Sequence, residues 1–197
     1  MKTLQPYQFW GGLMLAFSLG LAAGIGLSLS QPAAVDPSLN QAFAIYGTDA
    51  QQTAAQVDLY VNFTQETDSQ QQLNQLADTL SRLKFCNLPI EVTEVQNQIA
   101  TVNLGEHPWH QNSANPSNLP GCSGVSWRSQ YFQGSAGGHD TTVTLARTFL
   151  QPERSGRSTK EPWIEGVQFT YQGKPIEAGQ WDHINLDGVI TRENLPE

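Results

Sequence analysis

The order of periodic segments predicts an α+β domain. Two helices pack on a mostly antiparallel sheet in β-α-β-β-α-β order, and a hydrophobic N-terminal helix precedes them. Three observations carry this expectation. Leu73, Leu76, Ala77, Leu80 and Leu83 recur at three- and four-residue spacing, the pattern of an amphipathic helix. Val57 to Phe63 alternates apolar with polar residues and is rich in aromatic and β-branched types, the pattern of a half-buried strand. From Phe9 to Ser30 no side chain is charged and most are apolar.

Taken in order, residues 1–35 are expected to be a signal peptide or an N-terminal transmembrane anchor. The uncharged run is long enough to span a bilayer as a helix, whereas a signal peptide carries a shorter apolar core and a small-residue cleavage site. Ser28-Leu29-Ser30 would serve as such a site, and Gly11, Gly12, Gly20, Gly24 and Gly26 dilute the hydrophobicity. Either way Lys2 stays inside and the remainder crosses the membrane. Residues 36–55, with Pro37, Gly47 and a Gln-Gln-Thr-Ala-Ala-Gln stretch, read as a flexible linker on which Ala42, Phe43, Ile45 and Tyr46 are the only docking points. The domain proper is expected over 56–192.

After the first strand, Thr67 or Asp68 caps the first helix, which ends near Phe85 ahead of Pro89. Ile90–Val95 and Ile99–Leu104 read as a hairpin around Gln96-Asn97-Gln98, although the favoured Asn-Gly pair is missing. The 34 residues from Gly105 to Gly138 hold six Gly and three Pro with little periodicity, and a loop that long is functional or pinned. A second helix is expected to begin near His139-Asp140, with Val143, Leu145, Ala146, Phe149 and Leu150 as its apolar face and Pro152 as its stop. Val167–Tyr171 reads as the last strand of the core order. A tail from Trp181 to Arg192 follows it.

Charge excludes one class of partner. The chain carries 10 basic and 18 acidic side chains, and the part beyond residue 35 loses only Lys2. Nucleic acid needs a basic surface, so none is expected as a partner. No Gly-rich phosphate loop, CxxC repeat or HExxH run occurs.

Few residues are candidates for chemistry. Cys86 and Cys122 lie in the exported part, where an oxidising compartment favours one disulfide over a free nucleophile or a ligand pair. His107 and His110 flank Pro108-Trp109, but loop histidines are more often surface groups than metal ligands. His139-Asp140 resembles a base with its orienting acid, yet no serine elbow accompanies it and helix capping accounts for Asp140. No catalytic residue, metal or cofactor is therefore expected. A binding surface is expected from Trp109 and Trp127 in the long loop, with Arg147, Arg154, Arg157 and Lys160, which face only Glu153 in that stretch.

The final third resembles the GerMN domain family, named for the spore germination protein GerM. The residues that carry this are Gly134-Ser135, Thr148-Phe149-Leu150, Val167 through Tyr171 to Gln172-Gly173-Lys174-Pro175-Ile176, His183 and Thr191-Arg192. Upstream, Val57-Asp58-Leu59-Tyr60 is similar to the family's opening strand and Ala100-Thr101-Val102-Asn103-Leu104 to a later one. The Phe85–Pro89 segment and the expanded 105–133 loop depart from the family pattern. The resemblance implies a non-enzymatic module of the bacterial cell envelope that contacts cell-wall polymer or an envelope protein. An accessory subunit of a larger membrane complex is the first alternative, since the Gly20 to Gly24 spacing permits close helix packing, and a hydrolase with an unrecognised site is the second.

Overall fold

A computed structural model describes residues 42–63, 68–107, 122–154 and 163–196, all within the unit Ser38–Glu197. The hydrophobic segment 1–35 lies outside the described residues, as do Trp109, His110, Arg157 and Lys160. Among the described residues no helix is long and apolar enough to cross a membrane.

The architecture is α+β on mixed sheets. Strand β1 (Phe43–Thr48) pairs antiparallel with β2 (Ala55–Val61) as a two-stranded sheet. Helix α1 (Ser69–Lys84) leads to the antiparallel hairpin β3 (Ile90–Gln96) and β4 (Ile99–Leu104). Helix α2 (Ser135–Leu150) then crosses over to β5 (Gly166–Tyr171), which lies parallel to β4 with Val102 opposite Phe169. The short strands β6 (Lys174–Pro175) and β7 (Val189–Thr191) both pair antiparallel with the far edge of β5. The β-α-β-β-α-β order is thus present with strands added at both ends, and the β4–β5 pair makes the larger sheet mixed.

Three expectations need correction. Residues 43–48, read as linker, form β1, and Phe43, Ala44, Ile45 and Tyr46 are all buried. A strand covered on both faces shows no alternation, so its sequence does not announce it. Helix α2 begins at Ser135 rather than His139. Gly138 lies inside its second turn because the C-terminal tail passes over it: a Cβ there would meet the His183 carbonyl oxygen at 2.8 Å. Asp140 consequently caps nothing. Its Oδ1 accepts from Thr48 N (3.1 Å) and Thr48 Oγ1 (2.7 Å). Finally Leu83, placed on the buried face of α1, is 54% exposed, and Ser81 occupies the inner position instead.

The outer edge of β1 is covered by side chains of α2 in place of a strand. Gln151, in the left-handed cap position after α2, accepts from Ala44 N and donates to Ala44 O, both at 2.8 Å. Thr148 Oγ1 accepts from Tyr46 N at 3.0 Å, and Asp140 takes Thr48 N. Alternate residues of β1 are thereby satisfied by a polar row on one helix, which buried backbone requires.

Both tight hairpins use two residues with positive φ: Asn97 (51°) with Gln98 (61°), and Gln172 (50°) with Gly173 (76°). This twist matches that of the strands, but it strains a side-chain-bearing residue at the second position. Gln98→Gly should therefore raise unfolding free energy by about 0.5–1 kcal/mol, since only its carbonyl, which accepts from Glu165 N at 2.7 Å, is used elsewhere. A urea melt checks this, and a loss of stability would show that the Gln98 side chain contributes to the turn.

Candidate functional site

Strands β4 and β5 are the parallel pair of the sheet, and their carboxyl ends lie side by side at Leu104 and Tyr171. In α/β units such ends are where ligands are held, because the crossover loops gather there. The segment that begins at Gly105 leaves from this end of β4 and is described again from Cys122.

Glu106, two residues beyond β4, organises the site. Its Oε1 accepts from the Tyr171 hydroxyl at 2.8 Å and from Arg128 N at 3.4 Å, and its Oε2 accepts from Trp127 N at 3.3 Å. One carboxylate thus ties the ends of both strands to a single π-helical turn, Trp127–Tyr131. Ser126 opens that turn: its Oγ accepts from Ser129 N at 2.9 Å while its own N–H donates to Ser129 Oγ at 3.1 Å. Burial pushes the Tyr171 phenol well above its ordinary pKa, and the hydrogen bond to Glu106 with its negative charge adds to the effect. The phenol stays protonated and donates.

Trp127 is fully buried, so it is no part of an exposed surface as the sequence reading had it. Its indole N–H donates to Gly105 O at 2.9 Å, and its ring lies 4.8 Å from Phe85, 5.5 Å from Tyr131 and 5.6 Å from Phe132. Phe132 continues the aromatic layer to Trp181 (4.6 Å), which meets Tyr171 edge-on at 5.2 Å. Trp181 is only partly covered and was not singled out from the sequence, where it is the first residue of the tail.

Cys86 and Cys122 form the expected disulfide, with Cα atoms 5.4 Å apart. It joins the residues just past α1 to the segment that leads into the π-helical turn.

Of the basic candidates, Arg157 and Lys160 lie outside the described residues. Arg147 is half-buried on α2, and its Nε donates to Pro196 O at 3.1 Å, which gives it a part in holding the C-terminal segment. Arg154 falls in the 3-10 turn after α2. Arg192, part of the resemblance quoted above, donates through Nη2 to Leu150 O (2.6 Å) and Ile164 O (2.9 Å), a cation on the carbonyl end of α2. Among the described residues no group of three or more His, Cys, Asp or Glu side chains could hold a metal ion.

No family model, curated protein or solved structure matches the chain.

Proposed function

We propose that this chain is a non-enzymatic binding or assembly module, held on the far side of a membrane by its N-terminal segment, that contacts cell-wall glycan or another protein of the envelope. The observation that carries this reading is the construction of the β4–β5 carboxyl end. Glu106 and Tyr171 are the polar side chains nearest the ends of the two strands, and they bond to each other and, through Glu106, to backbone amides. Groups fixed in that way shape a surface. Proton transfer would need one of them turned toward a substrate. The uncharged run from Phe9 to Ser30 and the GerMN-like order of residues support the compartment. The functional content of the resemblance is analogy, and the site geometry is the independent support.

Retention of the detergent-purified full chain on isolated sacculi, compared with an unrelated exported domain, tests the glycan side of this reading. Stoichiometric migration with a membrane complex in native gels would instead favour the accessory-subunit alternative. A full chain that neither binds sacculi nor migrates with a partner would overturn both.

A further inference from the structure

We propose that the Trp181 face of the β4–β5 carboxyl end is a stacking platform for an uncharged carbohydrate, an inference that rests on the binding reading above. Trp181 is held by two rings, Phe132 at 4.6 Å and Tyr171 at 5.2 Å with the ring planes at 86°. Tyr171 is itself fixed by Glu106. A partly exposed ring locked in this manner gives up little side-chain freedom when a ligand settles on it. Its flat apolar face suits the C–H face of a sugar ring, while the surrounding groups suit hydroxyls and amides. Gln172, exposed in its turn, donates through Nε2 to Tyr171 Oη at 3.3 Å. Arg128 is exposed on the π-helical turn.

Charge decides between ligand classes. The Glu106 carboxylate is already met by three donors. The exposed charges on the framing segments are Arg128 and Lys174 against Glu177 and Asp182, which cancel. An anionic or cationic polymer would call for a patch of one sign. A neutral glycan does not.

The test uses the full chain with 15N-labelled tryptophan and an uncharged N-acetylglucosamine tetramer, followed by hyaluronate as an anionic polymer. The Trp181 indole resonance, assigned through Trp181→Phe, should shift saturably with the tetramer while that of buried Trp127 stays in place. Trp181→Ala should weaken binding about tenfold, the size expected for losing one aromatic partner. Because Trp181→Ala also removes packing from Phe132, Arg128→Gln serves as the second variant. Arg128 meets Glu106 through its backbone N–H only, so Arg128→Gln should melt like the wild type and bind severalfold more weakly. Wild-type retention on sacculi that survives both substitutions would place the glycan contact elsewhere and leave the binding reading standing. A response to hyaluronate alone, or an envelope protein that shifts Trp181 where the sugar does not, would overturn the carbohydrate assignment. Failure of the wild type to bind sacculi or tetramer would remove both.

Discussion

Replacing Gln151 by Leu is expected to lower the unfolding free energy by about 3–9 kcal/mol, because it strips hydrogen bonds from three buried backbone groups at once, Ala44 N, Ala44 O and Thr148 O, each costing about 1–3 kcal/mol when left unmet. Ala44 N and Ala44 O both bond to the Gln151 amide, and Ala44 and Gln151 are 3% and 1% exposed, so water does not replace what is lost. Leu keeps the volume and apolar contact and removes only the polar ends. A neighbour on the same helix supplies the control. Thr144 is 2% exposed, and its Oγ1 has no hydrogen-bond partner among the described residues. Thr144→Val should therefore be neutral or stabilising, since an unbonded hydroxyl is what it removes. Urea melts should show a loss of stability in Gln151→Leu and none in Thr144→Val if the side chains of α2 stand in for a strand beside β1. Amide exchange at Ala44 should quicken in Gln151→Leu. A change within the range of an ordinary surface substitution, about 0.5 kcal/mol, would mean that pairing with β2 alone secures β1.

The elements that sequence conveyed well are those with one buried face. Helix α1 shows its inner face as Leu73, Leu76, Ala77 and Leu80, and Asp68 caps it by accepting from Gln71 N at 2.7 Å. In β5, Val167 and Phe169 are buried and Gln168 half-exposed, the alternation expected. What was illegible has a shared cause. β1 is covered on both faces, and the edge that would have marked it as a strand is met by Thr148, Gln151 and Asp140 from about a hundred residues away. Polar residues on α2 then look like a solvent face, although Thr141, Thr142, Thr144 and Thr148 are all buried. The glycines of Gly134–Gly138 look like a breaker because the reason for Gly138, the His183 carbonyl, lies in the tail.

The site was legible in part. Even cysteine count and the compartment expected from the sequence pointed to the Cys86–Cys122 bridge, and the length of the 105–138 stretch pointed to a pinned loop. Neither signal says which aromatic residues hold that loop and which stay outside. Trp127 and Trp181 sit in equally polar surroundings in sequence. Only the parallel pairing of β4 with β5 places Gly105 and Glu106 under one and Phe132 and Tyr171 beside the other.

That distinction leads to the second large effect. Trp127→Ala should cost about 3–5 kcal/mol, the range for truncating a large buried aromatic. A domain of this size is held by about 5–15 kcal/mol in all, so the variant should be near the limit of folding. Opening the disulfide by the double substitution Cys86→Ser, Cys122→Ser is expected to cost a similar amount, roughly 3–4 kcal/mol for a loop of 36 residues in the chain-entropy account. The two losses differ in where they act. The bridge restricts the unfolded chain, and the folded arm stays in place without it, because Trp127 N and Arg128 N still donate to Glu106 and the indole to Gly105 O. Loss of Trp127 empties the folded site. Phe85 and Tyr131 lose the ring between them, and Phe132 loses one of the partners that set its position beneath Trp181. Near-UV circular dichroism at low temperature separates them: the disulfide variant should keep the wild-type aromatic bands, and Trp127→Ala should lose more than the contribution of one indole. Trp181 should also become more accessible to acrylamide in Trp127→Ala alone. If reduction by itself abolished the aromatic bands, the bridge and not Trp127 would be what holds the loop on the sheet.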